Sequence, residues 1–130
     1  MKQLLLAAAL ILAPVGVFTG FYMAFGTAAV ADASLGDLSE LKAIIADVQK
    51  IAAGGDLKAA AARITDFESL WDDDESGMRP LNPTEWGNID DAADAALKSL
   101  RRGTPTVDVV TPALAALAAV LDDPSKPAVN

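Results

Sequence analysis

Beyond residue 35 the chain alternates between stretches with apolar residues at three-four spacing and short breaks of Gly, Pro and acids. That alternation is the signature of short amphipathic helices. The first predicted helix covers Asp37 to Ala53, with Leu38, Leu41, Ile45, Val48 and Ala52 on one stripe. Asp37 and Glu40 stand at capping-box spacing, and Gly54-Gly55 ends the element. Asp56 caps a second helix whose stripe is Leu57, Ala60, Ile64, Phe67 and Trp71. The tight Gly-Gly turn makes these two helices antiparallel neighbours. From Asp72 to Leu81 the period dissolves into acids, Gly77 and Pro80, which predicts a loop.

Order restarts at Asn82-Pro83-Thr84-Glu85, which supplies an N-cap, an N1 proline and an N3 glutamate. The third helix then carries Trp86, Ile89, Ala93, Ala96 or Leu97, and Leu100 on one face. Arg101 and Arg102 complement its carbonyl end before Gly103 closes it. The last helix holds Val110, Leu114, Leu117 and Leu121, and its start has two readings. Either Thr111-Pro112 is cap and first residue, or Pro112 kinks a helix that begins near Thr106. No run of alternating β-branched residues predicts a strand. The expected class is therefore all-α: an N-terminal transmembrane or signal helix over 1–31, an up-and-down bundle of about four short helices over 35–123, and a flexible tail over 124–130. Trp71 and Trp86 are expected to fill much of the core. Gly36-Asp37-Leu38 recurs as Gly55-Asp56-Leu57, which reads as two similar helix starts and not as a repeat array.

The N-terminal stretch changes the picture of where the bundle sits. Between Lys2 and Asp32 lie 29 consecutive uncharged residues, more than the ~20 that span a bilayer. In one reading Leu4 to Met23 is a membrane anchor, with Phe18, Phe21, Tyr22 and Phe25 at the outer interface. In the other, Leu4 to Ala13 is a signal core, Pro14 and Gly16 break its helix, and cleavage follows Ala29-Val30-Ala31. The anchor is the favoured expectation, because the apolar run continues well past Pro14. With Lys2 inside, both deliver everything from Asp32 outside the cytoplasm: a single-pass inner-membrane protein, or a soluble periplasmic one after cleavage near Ala31.

Composition narrows the chemistry. The chain has no cysteine and no histidine, so disulfides, thiolate chemistry, the usual general base near neutral pH and the commonest metal ligand are all missing. Ten Lys and Arg face 18 Asp and Glu, and only Lys2 among these charges precedes Asp32. The exported part is thus strongly acidic with scattered positives, a surface that argues against nucleic acid or anionic lipid as a partner.

Two acidic groupings are the candidate sites. Asp72, Asp73, Asp74 and Glu75 form a run whose mutual repulsion a hard cation such as Ca²⁺ would relieve. The run imitates the opening of an EF-hand loop, but position twelve holds Pro83 where a bidentate glutamate belongs. It is therefore a solvated acidic stretch or a weak divalent-cation site. Asp90, Asp91 and Asp94 form an acidic helix face that either docks a basic partner or is merely hydrated. Trp71 and Trp86 with Asp72 and Glu85 also suggest a sugar cleft with a carboxylate pair. The stripe positions of both tryptophans and the capping position of Glu85 favour structural roles instead.

Taken together, Gly55-Asp56-Leu57, Ala61, Arg63-Ile64, Asp66, Glu68, Trp71-Asp72, Pro80, Trp86, Ile89-Asp90, Ala96-Leu97 and Leu100-Arg101 resemble a family of small bacterial exported helical proteins of unknown function. Some of these carry a histidine kinase label. The resemblance implies a fold and a location but no activity, and the label does not suit a chain without a phosphoacceptor histidine or a Gly-rich nucleotide segment. The expectation is a non-enzymatic, cofactor-free accessory module that binds another envelope protein. A small cation- or ligand-binding periplasmic protein is the competing class, and an atypical hydrolase the third.

Overall fold

Each stripe read from the sequence becomes one wall of a shared core. The computed structural model describes residues 34–129, and the anchor or signal segment expected over 1–31 lies outside the described residues. Four helices follow in order: α1 (Ser39–Ala53), α2 (Leu57–Met78), α3 (Pro83–Leu100) and α4 (Val107–Asp122). There is no strand among the described residues, so the bundle is all-α as expected. None of its helices is long and apolar enough to cross a membrane.

The helices close into a ring in which α1 lies between α2 and α4, and α3 lies on the opposite side between the same two. Short connections make consecutive members antiparallel. The Lys42 ammonium, near the start of α1, lies 3.6 Å from the Asp122 carboxylate at the end of α4, so these two also run oppositely. Phe67, Ile64, Ile89, Val48, Val110 and Leu117 are fully enclosed at the centre. Burial of each large aliphatic side chain stabilises the fold by roughly 1.5–3 kcal/mol, which is how so small a domain offsets its chain entropy.

The two Gly-Asp-Leu segments do make similar helix starts. Gly36 and Gly55 both adopt positive φ, +94° and +88°, the region in which a side chain is strained. After them the carboxylates accept local hydrogen bonds: Asp56 from the Ala59 amide at 3.0 Å, and Asp37 from the Ser39 amide at 2.9 Å. Asp37 also accepts from the Ser39 hydroxyl, and the two bonds hold its carboxyl below the ordinary value. The first helix thus begins at Ser39 with Leu38, not Asp37, as its N-cap residue, one residue later than the capping-box spacing suggests.

The largest departure from the sequence reading lies between Asp72 and Leu81. A loop is expected there, but α2 runs on to Met78 and includes Asp72, Asp73, Asp74, Glu75 and Gly77. Met78, one heptad after Trp71, extends the buried stripe and is 8% exposed. Its burial, worth about 1.5–3 kcal/mol, outweighs the ~1 kcal/mol that an interior glycine costs. Glu75 and Arg79 add an ion pair across one turn at 3.2 Å. Arg79 still holds helical dihedrals and donates to the Glu75 carbonyl, and Pro80, which has no N–H to continue the ladder, ends the helix.

The third helix starts as read: the Asn82 carboxamide oxygen accepts from the Glu85 amide at 3.1 Å, with Pro83 in the first turn. The fourth follows the second of its two readings. It begins after Thr106 and carries Pro112 inside. The residues after α4 turn at Asp123–Lys126, a 3.0 Å ion pair, and the Pro124 carbonyl accepts from the Asn88 amide group at 2.9 Å. Ala128 packs partly against the core.

Candidate functional site

The end of α2 and the start of α3 meet over a column of stacked groups. Phe67 and Trp71 occupy one stripe of α2 at i, i+4 spacing, and their rings stack with centroids 6.2 Å apart. Trp86, in the first turn of α3, stacks on Trp71 at 5.5 Å with an interplanar angle of 11°. The Arg79 guanidinium lies 5.0 Å from the Trp86 ring centroid, where the ring quadrupole attracts it. The column therefore grades from the enclosed Phe67 through the half-buried Trp86 to the exposed Arg79.

Asp90 completes this arrangement. It sits one turn after Trp86 on the same side of α3, and its carboxylate accepts the Trp71 indole N–H at 3.0 Å. Of the three acids expected to form one docking face, Asp90 is thus committed to the core aromatic on α2. The other two diverge from it. Asp91 lines a groove between α3 and α4, and Asp94 is exposed. Helical geometry is the reason, since successive residues point about 100° apart and the three side chains fan across the outer quadrant of α3.

The same geometry governs the acidic run on α2. Asp72, Asp73 and Asp74 are exposed and radiate around the helix, while Glu75 is half-buried and paired with Arg79. Among the described residues no three acids are grouped so that they could hold a metal ion. An EF-hand presents its ligands from a loop that wraps the ion, and a helical run cannot wrap. Trp71, 3% exposed and stacked on two rings, offers no open face for a sugar.

Several pairings escaped the sequence reading. Arg101, expected to serve the carbonyl end of α3, reaches across to α2 and makes a two-pronged bond to Glu68 at 2.9 and 3.1 Å. The Arg101 hydrogen bonds hold the Glu68 carboxyl below its ordinary value, and Glu68 raises the guanidinium in turn. Arg63 joins Asp66 at 2.7 Å and Asp47 of α1 at 3.0 Å. Of these pairings, only that of Arg63 with Asp66, at i, i+3, was visible as a local signal.

Asp72, Asp73, Asp74 and Asp94 make no ion pair with any described residue, although five of the nine cations in the described residues are engaged elsewhere. Compared with protein-family models, curated proteins and solved structures, the chain matches none.

Proposed function

We propose that this chain is a non-enzymatic accessory module, held at the outer face of the cytoplasmic membrane by its N-terminal segment, that docks a basic surface of another envelope protein. The unpaired acids at the α2–α3 corner carry this reading. Asp72, Asp73 and Asp74 on α2 and Asp94 on α3 are exposed and make no ion pair with any described residue, which leaves their charge for a partner to neutralise. Rigid, pre-placed charge steers association and selects a complementary surface. The absence of histidine and cysteine supports a binding role over general-base or thiolate catalysis. Family resemblance and the long apolar leader support the location.

The test is in-membrane crosslinking of the full chain against a variant with Asp72, Asp73, Asp74 and Asp94 replaced by Asn. The expected result is an adduct with one envelope protein that weakens with added salt and is lost in the variant. An adduct of equal yield in both chains, insensitive to ionic strength, would refute the acidic docking surface.

A further inference from the structure

On the side of the bundle away from α2, α3 and α4 leave a groove with a cationic mouth and an apolar floor. Lys98, in the last turn of α3, and Arg102, two residues past its end, line a volume of about 350 Å³ together with Ala95, Ser99, Val109 and Ala113. A second volume of about 450 Å³ shares Ala95 and Ala113 and continues along the same two helices to Asn88. The segment Pro127–Val129 borders this far part. From Lys98 to Asn88 the groove follows α3 for about 15 Å at 1.5 Å per residue.

Two independent observations mark it as a binding site. Lys98 and Arg102 have no ionic partner among the described residues, in a chain where acids outnumber bases 18 to 10. Two like charges lining one pocket repel, and an anion between them would remove that cost. Arg101, which precedes Arg102 in sequence, is turned to Glu68 on α2 and is not available. The favourable end of the helix dipole explains why cations are tolerated there. It does not explain why apolar surface is left open beside them. The second observation is that surface: the exposed large hydrophobics among the described residues are Leu81, Val107, Val109 and Val129, and two of these, Val109 and Val129, line the groove at opposite ends.

We propose that the α3–α4 groove binds a long-chain fatty acid, with its carboxylate between Lys98 and Arg102 and its acyl chain along Ala95 and Ala113 toward Ala128. Arg102 is suited to two parallel hydrogen bonds to a carboxylate, and Lys98 adds a point charge. Asp91, which lines the far part, disfavours the reversed orientation. Small side chains on both helices leave a channel, and each methylene that enters it contributes up to about 0.8 kcal/mol. This inference is independent of the acidic corner.

The experiment uses the full chain in lipid nanodiscs and a palmitate analogue bearing a photoreactive diazirine on its chain. Labelling is expected on peptides of α3 and α4, competed by palmitate but not by an alkyl glucoside or alkyl trimethylammonium of equal length. Replacing both cations, as in K98Q/R102Q, is expected to weaken labelling on the order of tenfold. Ala113→Leu, which keeps the cations and fills the floor, is expected to abolish it, with helical circular dichroism retained by both variants. Undiminished labelling of either variant, equal competition by the neutral amphiphile, or labelling confined to α1 and α2 would overturn the proposal. So would the absence of labelling, the result expected if another protein covers the groove.

Discussion

Truncating the two tryptophans separately tests the aromatic column, because the structure assigns them unequal shares of the core. Trp71 is 3% exposed, stacks on Phe67 and Trp86, and donates its indole N–H to Asp90. Trp71→Ala therefore removes a fully enclosed aromatic, a loss of about 3–5 kcal/mol. Trp86 is only partly buried, and its indole nitrogen has no hydrogen-bond partner among the described residues. Its truncation forfeits roughly half the area and no hydrogen bond, so about 2 kcal/mol is expected. Trp71→Phe separates the contributions further, since it keeps a stacked ring and deletes the bond to Asp90, at a cost of about 1 kcal/mol plus the lost volume. The assay is thermal and urea unfolding of residues 34–130, the unit that contains the whole described core. For a domain of this size 1 kcal/mol moves Tm by about 4–8 °C, so Trp71→Ala should lower it by at least about 12 °C and Trp86→Ala by clearly less. An equal or reversed order would show that the column does not support the corner as described.

Other expectations follow from single features. Stability should fall as pH drops through the acid range. Asp37, Glu68 and Asp123 are held below their ordinary values by Ser39, Arg101 and Ser125 respectively, and a depressed folded-state pKa contributes stability above the unfolded value, near 4, that is lost as pH falls through the folded one. Glu68→Gln should flatten part of that slope at a cost near 0.5 kcal/mol at pH 7, modest because the pair is partly solvated. Two glycines should respond with opposite signs in the same melting assay. Gly55→Ala, at φ +88° with nothing near its added methyl, should cost about 1–2 kcal/mol, whereas Gly77→Ala, inside α2 with open space around it, should stabilise by about 0.5–1 kcal/mol. Replacing Asp72, Asp73 and Asp74 with Asn should raise Tm, since these acids oppose the dipole at the end of α2. In the parent, Ca²⁺ should add no more than NaCl of matched ionic strength, and a large calcium-selective shift lost in the variant would contradict the fanned arrangement.

The apolar stripes, the Asp56 and Asn82 caps and the glycine turns were legible in the sequence because each acts over one or two turns of helix. An i, i+4 recurrence or a capping carboxylate carries its own geometry wherever the rest of the chain goes. The helical state of Asp72 to Met78 was not legible in that way. Locally that run is acids and a glycine, and what keeps it helical is Met78 entering the core beside Trp71. The same holds for α4, whose start at Val107 retains Pro112 inside the helix because Val110, in the turn ahead of the proline, is fully buried. The candidate sites divided along the same line. Residue type marked the acids and the basic end of α3, but which of them face solvent was decided between helices. Asp90 is taken by Trp71 and Arg101 by Glu68, while Asp94, Lys98 and Arg102 are left without ionic partners among the described residues. Partners 19 and 33 residues apart in sequence are brought together by the order and antiparallel packing of the helices, which no local spacing encodes.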